Sequence, residues 1–294
     1  MLRPGHETGH RSIWTSLCGV AFEQAWVNAS GIRTRYVHAG NRDTPTLIML
    51  HGTASQAETF CNNIADHSKL FDCYAIDMLG TSYTDKPNRP YEIADYVQHI
   101  VDFMDALGIL KTSFLGVSLG SWVAAQFAIT HPQRTERLTL VAPAGHVADP
   151  VRMARIKESR KTATESPSWT AVRSVLERLV HNKEALFDDI VASRYTFYRQ
   201  PEMIQAMRNI LVLQDPEVRA RNIIAPDQWG RIAAPTLVVG GINDNEADYN
   251  DAKAIAGMIP GSTLETIRDV GHWPHFEVPE LFNSMNIAFL KSAR

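Results

Sequence analysis

The chain has 294 residues, of which 45% are hydrophobic and 21% are charged. A chain of this length and composition can bury a full core, which excludes a disordered or fibrous protein. The 29 Lys and Arg against 32 Asp and Glu give a formal charge of -3, so no basic surplus indicates a nucleic-acid partner. No apolar run reaches the roughly 18 residues that a membrane span requires, so we expect no membrane partner.

The chain begins with a segment that we interpret as an addition to the main fold. Arg3 and Arg11 precede an apolar stretch at 13–22, which resembles the start of a signal peptide. Acidic and polar residues follow directly, however, and no small-residue cleavage site is evident. Residues 1–22 are therefore expected to form an extra surface helix or a loose leader.

Short, continuously apolar runs recur along the chain between Gly, Pro, Asn and Asp residues. Continuous runs are typical of strands that are covered on both faces, as in a parallel sheet. Helical spacing appears from Ile93 to Leu107, with Gly108 as a stop, and again from Leu281 to Phe289. This alternation predicts an α/β fold with a mostly parallel, doubly wound sheet. The predicted strands are 46–50, 73–78, 112–117, 138–142, 236–240 and 263–267.

Residues 146–228 interrupt this alternation. The segment lacks a clear strand pattern and carries helix-like stretches at 170–180, 183–195 and 201–213. We expect a helical cap over the carboxyl edge of the sheet, which divides the α/β core into residues 1–145 and 229–294. A second packing layer without a role in substrate binding is the alternative interpretation.

A motif typical of a catalytic serine follows the third predicted strand. Residues 116–120 are Gly-Val-Ser-Leu-Gly, and an apolar helical stretch comes next, so the G-x-S-x-G pattern lies between a strand and a helix. A serine on such a turn has a strained backbone, and Gly116 and Gly120 remove side chains that would collide there. The helix N-terminus also directs its positive dipole at the reacting centre. We therefore predict that Ser118 is the nucleophile, with a buried structural serine as the alternative.

A serine hydroxyl becomes a good nucleophile only when a base accepts its proton. With this motif, the acid and then the histidine follow the serine along the chain. Asp244 follows the fifth predicted strand, and His272 follows the sixth. We predict that His272 accepts the proton and that Asp244 orients and stabilises its imidazole. Asp248 and Asp251 remain alternatives for the acid, and His275 is the nearest alternative for the base.

The negative charge that develops on an attacked carbonyl oxygen requires backbone N–H donors. One donor is expected at Leu119, directly after the nucleophile. The other is expected at Thr53, in the loop that begins with His51 and Gly52. We interpret His51 as a structural residue that holds this loop.

Taken together, these residues resemble those of the α/β-hydrolase family over about residues 26–290. The shared features are His51-Gly52, the Asp-Met-Leu-Gly stretch at 77–80, the G-x-S-x-G motif, Asp244 and Gly271-His272. The resemblance implies an α/β-hydrolase fold, serine hydrolase chemistry on a small-molecule substrate, and self-association into a homo-oligomer.

Within that family the chain resembles the meta-cleavage product hydrolases, which cleave a carbon–carbon bond in dienoic keto acids made by ring opening of catechols. In that branch a tryptophan follows the catalytic histidine, as Trp273 does here. An asparagine lies in the loop after His-Gly, where this chain has Asn62, and an arginine of the cap binds the acid group of the substrate, a role that Arg194 would take. The resemblance thus implies that these three residues contact substrate.

The chain departs from that branch around the nucleophile. Val117 stands where the branch usually has asparagine, Ser121 stands in place of a second glycine, and residues 53–56 replace a glycine-rich stretch. Val117 and the altered loop after His51-Gly52 favour a second hypothesis, a carboxylesterase or lactonase that uses the same triad on an ester. A ligand receptor or inactive relative with this fold is the third hypothesis, and the order of the serine, acid and histidine speaks against it.

The sequence indicates no cofactor and no metal. Cys18, Cys61 and Cys73 form no C-x-x-C pair, so we expect neither a disulfide framework nor a thiolate metal site. No glycine-rich nucleotide fingerprint follows the first predicted strand. Because the cysteines are scattered and odd in number, a reducing cytoplasm is the expected location.

Overall fold

A sheet of eight strands forms the centre of the computed structural model, which describes residues 11–292 except for the side chains of residues 246 and 247. The strands are β1 Phe22–Ala29, β2 Ile32–Ala39, β3 Thr46–Leu50, β4 Asp72–Ile76, β5 Thr112–Val117, β6 Thr135–Val141, β7 Thr236–Gly241 and β8 Thr263–Ile267. Their order is β1-β2-β4-β3-β5-β6-β7-β8. β1 pairs antiparallel with β2, and β2 with β4, whereas the pairings from β4 through β8 are all parallel.

Helices connect the strands and fill the segment between β6 and β7. The α-helices are α1 Ile13–Leu17, α2 Cys61–His67, α3 Ile93–Ala106, α4 Leu119–Thr130, α5 Pro150–Glu165, α6 Trp169–Glu177, α7 Asp188–Tyr198, α8 Met203–Ile210, α9 Pro216–Asn222, α10 Pro226–Trp229, α11 Glu246–Met258, α12 Pro274–Glu277 and α13 Pro279–Lys291. Short 3-10 helices occupy Ala57–Phe60, Pro132–Arg134, Lys183–Ala185 and Leu211–Gln214. Among the helices in residues 11–292, none has the length and apolar composition to cross a bilayer.

The central strands are buried along their whole length, as continuous apolar runs predict. β4, β5 and β7 have every residue buried, whereas β8 at one edge is largely open to solvent. Burial on both faces removes the polar positions that would otherwise alternate along a strand. The predicted α/β class and parallel sheet are therefore confirmed.

The first two strands form a hairpin that the sequence analysis did not predict. β1 has a mixed polar and apolar sequence, and its residues are mostly exposed or half-buried. The two strands are joined by Ser30 and Gly31, which both have positive φ, 51° and 93°. Such a two-residue turn matches the twist of paired strands, so the Ser-Gly pair is the local signal for this hairpin.

The additional N-terminal segment predicted over residues 1–22 contains α1, and its last residue, Phe22, begins β1. Residues 1–10, including Arg3, lie outside the described part of the chain. The Ile13 N–H donates to the Asp189 carboxylate over 2.9 Å. This bond joins α1 to α7, far along the chain.

Between β6 and β7, residues 142–235 contain helices α5 to α10 and no strand. The predicted helical stretches overlap α6, α7 and α8, whereas α5 was missed. Asp149 caps the N-terminus of α5 through the N–H groups of Val151 and Arg152. The helix lacks a regular apolar stripe because two of the few side chains that it buries are arginines, Arg152 and Arg160.

Candidate active site

Ser118 lies on the sharp turn between β5 and α4. Its φ of 54° and ψ of −112° belong to a region that residues with a side chain rarely adopt. A Cβ on Gly116 would lie 2.5 Å from the carbonyl oxygen of Gly120, and a Cβ on Gly120 would lie 2.0 Å from that of Leu50. Both positions therefore require glycine, because any side chain would separate α4 from β5 and β3.

A cavity of about 260 Å³ lies in front of this turn. Residues that follow the C-terminal ends of β3, β5, β6, β7 and β8 line it. Members of α5, α7 and α9, which lie between β6 and β7, also line it. Loops at the carboxyl ends of parallel strands meet at one edge, which is where open α/β sheets bind their ligands.

His272 and Asp244 are joined by a hydrogen bond at this cavity. The Nδ1–H of His272 donates to Oδ2 of Asp244 over 2.7 Å, and Oδ2 of Asp248 lies 3.7 Å from the same nitrogen. Burial lowers the pKa of His272, but the charge and hydrogen bond of Asp244, together with the charge of Asp248, raise it to about 9. With Nδ1 bound to the carboxylate, Nε2 is the nitrogen left to exchange a proton with substrate or nucleophile.

The other candidates for the acid and the base have different partners. Asp251 lies 2.8 Å from Nη1 of Arg152, which also contacts Asp248 over 2.5 Å. His275 is fully buried and does not line the cavity, and burial lowers its pKa to about 3. The geometry therefore favours Asp244 as the partner of His272, with Asp248 as a second carboxylate farther from the ring.

Asp244, Asp248 and His272 also form a cluster of metal-ligand type, with ligand atoms within 4.8 Å of one another. This cluster was not expected from the sequence, because the three residues follow two different strands. The hydrogen bond to Asp244 occupies Nδ1 of the imidazole, and Asp248 already forms a salt bridge with Arg152. These contacts suit a protonated imidazole between two carboxylates.

Ser118, Thr53, Leu119 and His272 all border the same cavity. The loop after β3 comes close to the serine, since a Cβ on Gly52 would lie 3.4 Å from the Ser118 Cβ and 4.0 Å from its Oγ. Within residues 11–292, neither the Thr53 N–H nor the Leu119 N–H donates to a backbone carbonyl. Both N–H groups therefore lack a backbone partner among the described residues, and both residues line the cavity together with Ser118, which is compatible with the predicted oxyanion site.

Comparison with known proteins identifies the family. The family model described as alpha/beta hydrolase fold matches residues 45–279. The chain belongs to this family. A 2-hydroxy-6-oxo-6-(2'-aminophenyl)hexa-2,4-dienoic acid hydrolase of Metapseudomonas resinovorans is 27% identical to it over 277 residues, which cover 92% of this chain and 91% of the relative. A carboxylesterase of Bacillus subtilis is 25% identical over 285 residues, which cover 94% and 90%.

A solved structure gives the same result for this α/β hydrolase. The crystal structure of a serine hydrolase involved in carbazole degradation matches it with a TM-score of 0.76 and 26% identity, over 92% of this chain and 99% of that one. The protein is an α/β-hydrolase enzyme, and its relatives include a dienoic acid hydrolase, a 2-hydroxymuconate semialdehyde hydrolase and a carboxylesterase. The family predicted from the sequence, and the resemblance to meta-cleavage product hydrolases, are confirmed.

Arg194 of the hydrolase extends from α7 into the cavity and is fully buried, with 0% of its surface exposed. Its Nη2 donates to Oγ of Ser55 over 2.6 Å, whereas Nε and Nη1 have no hydrogen-bond partner within residues 11–292. The guanidinium also lies 5.7 and 5.8 Å from the ring centres of Phe197 and Tyr198. Trp273 is also buried and lines the cavity, next to His272. The structure thus brings two of the three predicted substrate contacts to the site.

The third predicted contact, Asn62, does not reach the cavity. It lies on α2, where its Oδ1 accepts a hydrogen bond from Oγ of Ser16 over 2.7 Å and its Nδ2 donates to the carbonyl of Phe276 over 3.4 Å. It is absent from the residues that line the cavity. The expectation that Asn62 contacts substrate is therefore not supported, because α1 supplies a partner for the amide oxygen that the sequence pattern did not reveal.

His51 holds the loop that carries Thr53. Its Nδ1–H donates to the carbonyl of Gly52 over 2.8 Å, and its Nε2 accepts from the N–H of Met78 over 3.1 Å. Burial lowers its pKa to about 4, so the ring stays neutral. These bonds agree with a structural role.

Glu277 connects the loop of His272 to the segment between β6 and β7, and sequence analysis missed it. Its Oε1 accepts from the N–H of Gly271 over 2.8 Å, and its Oε2 accepts from those of His181 and Asn182 over 2.8 and 2.9 Å. Burial raises the pKa of this carboxyl group, although the three N–H donors oppose the shift. The side chain therefore fixes the position of His272 relative to the inserted helices.

Proposed function

We propose that Ser118 of this hydrolase attacks a carbonyl carbon of a dienoic keto acid and that a carbon–carbon bond of that substrate is cleaved. The observation that carries the proposal is the fully buried guanidinium of Arg194, which faces the same cavity as Ser118 and has two nitrogens without a hydrogen-bond partner among the described residues. A buried guanidinium with unused N–H donors suits a carboxylate, whose negative charge and oxygen acceptors can pair with it. A neutral ester would leave it unpaired.

In the proposed mechanism, His272 Nε2 accepts the hydroxyl proton as Ser118 Oγ bonds to the carbonyl carbon. Asp244 stabilises the imidazolium, and the N–H groups of Thr53 and Leu119 hold the oxyanion, where one such donor contributes about 3 kcal/mol. When the tetrahedral intermediate collapses, the carbon–carbon bond breaks and its electron pair leaves with the dienoate, which takes up a proton. Water then attacks the acyl-serine, with the imidazole again as base, and releases the second acid.

When the carbon–carbon bond breaks, the leaving fragment must carry an electron pair on carbon, and it leaves readily only if that pair is delocalised. In a dienoic keto acid, ketonisation places a carbonyl where it delocalises that electron pair after the bond breaks. We propose that Arg194 fixes the acid end so that the far carbonyl lies at Ser118, and that Trp273 packs against the substrate. Binding in one orientation contributes to the rate because it makes the attack effectively intramolecular.

We also propose that residues 146–228 serve as a cap between core segments 1–145 and 229–294. Arg194 and other lining residues come from this segment, whereas Ser118, Asp244 and His272 come from the core. The bonds of Glu277 to residues on both sides support a cap that is held against the core near His272.

A carboxylesterase activity is the second candidate, and Val117 favours it. This residue is 1% exposed and lies directly before the nucleophile, where the meta-cleavage product hydrolases usually have an asparagine. The relative from Bacillus subtilis shows that chains of this similarity include an esterase. The triad would act on an ester by the same steps, with an alkoxide as the leaving group.

A substrate panel tests the two candidates against each other. Purified wild type, Ser118→Ala and Arg194→Gln are assayed with a ring-fission dienolate, whose yellow colour disappears on cleavage, with a neutral nitrophenyl ester and with a lactone. We expect wild type to bleach the dienolate and Ser118→Ala to be inactive. Loss of a charged hydrogen bond should lower kcat/KM of Arg194→Gln for the acid by roughly 10- to 100-fold and leave the neutral ester unaffected.

Hydrolysis of the ester without cleavage of the dienolate would replace the proposal with a carboxylesterase. A wild-type protein that turned over none of the three classes, yet bound one of them, would favour a ligand receptor.

A further inference from the structure

Arginine is the most frequent charged residue around the cavity. Six arginines line it, against two carboxylates, and the carboxylates of Asp244 and Asp248 already face His272 and Arg152. The six are Arg152, Arg155, Arg160, Arg178, Arg194 and Arg219. The site therefore has more positive charge than its own acidic groups balance.

Two of the buried arginines are accounted for by protein contacts. Arg152 is paired with Asp248 and Asp251. Arg219 donates from Nε and Nη2 to the carbonyl of Val147 over 3.2 Å, and its guanidinium lies 4.5 Å from the centre of the Trp122 ring. These two side chains have structural roles in the absence of any ligand.

Arg160, on α5, has no such partner. Only 7% of its surface is exposed, its Nε is buried without a hydrogen bond, and within residues 11–292 no carboxylate pairs with its guanidinium. The charged groups that act on it most strongly, besides the hydroxyl of Tyr198, are Arg194 and Arg178, which have the same sign. Burial and these two neighbours lower the pKa of Arg160 to about 10, so it still carries a charge at neutral pH.

A buried charge without a counter-ion is costly, and a fold gains nothing from placing it next to a second one. An anion from the substrate would remove that cost. Arg194 has open N–H donors of its own, so a carboxylate that binds to Arg194 leaves the Nε of Arg160 available for another.

We propose that Arg160 binds a second carboxylate, so that the preferred substrates of this site are dicarboxylic acids with one acid group at Arg194 and the other at Arg160. This inference rests on the proposed function, in which Arg194 binds the acid end of the substrate. The inference goes further, because a preferred substrate must also have a second acid group on the part that does not contact Arg194.

Calorimetric titration of simple acids tests the proposal without requiring turnover. The probes are adipate and hexanoate, which have the same number of carbons and differ by one carboxylate. We expect wild type to bind adipate about tenfold more tightly than hexanoate, since one charged hydrogen-bonded contact is added. In Arg160→Gln the two affinities should become equal, with hexanoate binding unchanged. In Arg194→Gln both acids should bind more weakly.

Arg208→Gln is the matched control, because Arg208 is an exposed arginine of α8 that does not line the cavity. It should bind both acids as wild type does. Equal affinities of wild type for the two acids would overturn the proposal. So would an Arg160→Gln protein that loses hexanoate and adipate binding alike, since both arginines would then hold one carboxylate.

Thermal melting of Arg160→Met separates binding from folding. If the charge is there for a ligand, its removal leaves the melting temperature of the unliganded protein unchanged or higher. A fall of several degrees would show that Arg160 has a structural role and would overturn the proposal. Failure of the dienolate assay would leave this test intact, because acid binding is measured independently of the reaction.

Discussion

Raising the pH should remove the proton from His272 and thereby change stability and activity in opposite directions. Only 11% of the His272 side chain is exposed, which disfavours the charged form, yet Asp244 and Asp248 raise its pKa from 6.5 to about 9. A group whose pKa is higher in the folded state than in the unfolded chain contributes stability that is complete below the unfolded value. That contribution is lost as the pH rises through the folded value.

The size of both effects follows from these two pKa values. The gap between 6.5 and about 9 corresponds to about 3 kcal/mol of unfolding free energy, lost between these two values. The proposed reaction needs neutral His272, because only that form accepts the proton of Ser118. The value of kcat/KM should therefore rise about tenfold per pH unit until the pH approaches the pKa of the imidazole.

Urea unfolding and steady-state kinetics over the same pH series measure the two effects, with His272→Gln as the control. Burial also raises the pKa values of the Cys61 and Cys73 thiols, so both proteins lose stability above about pH 8.5, where unfolded thiols ionise. The difference in unfolding free energy between wild type and His272→Gln removes this shared contribution. A difference that stays constant over the series, or a kcat/KM that is already maximal near neutral pH, would refute the reasoning.

Three further predictions concern single side chains. Ser118→Ala should lower kcat by at least about 10³-fold with an unchanged melting temperature, measured on any substrate that wild type hydrolyses. Gly120→Ala should lower the urea-derived unfolding free energy by about 3 kcal/mol or more, because its Cβ would lie 2.0 Å from the carbonyl oxygen of Leu50. Glu277→Gln should lower the unfolding free energy by about 1–3 kcal/mol in the same assay, since the amide NH2 group would face an N–H donor where Glu277 has an acceptor oxygen. It should also lower kcat because Gly271 loses or weakens its bond; an unchanged kcat would contradict that role.

The central strands were predictable from the sequence because burial on both faces leaves a continuous apolar run. The predicted strands at 46–50 and 112–117 have the bounds of β3 and β5. The edge strand predicted at 263–267 has the bounds of β8, and the other three differ by one to three residues at an end. The hairpin of β1 and β2 was missed because an edge hairpin is half exposed and its sequence is mixed. Its turn at Ser30-Gly31 carried the only local signal.

The candidate site was predictable where chemistry and chain order impose a pattern. Ser118, Asp244 and His272 follow three strand ends, and parallel strands bring such ends to one edge. Arg160 was not predictable, because an arginine on a polar helix is usually solvated and only the tertiary structure buries it. Asn62 resembles a substrate contact by its position in the sequence, but in the structure it bonds to Ser16 and does not line the cavity.

Intact-protein mass spectrometry after reaction with a fluorophosphonate tests the activated serine directly. Attack of Oγ on phosphorus forms an O–P bond and releases fluoride, so the protein gains the mass of one phosphonyl group. We expect peptide mapping to locate that group on Ser118, and we expect the labelling rate to fall at least about 10³-fold in His272→Gln, whose side chain cannot act as the base. A label on another residue, or a labelling rate independent of His272, would contradict the account.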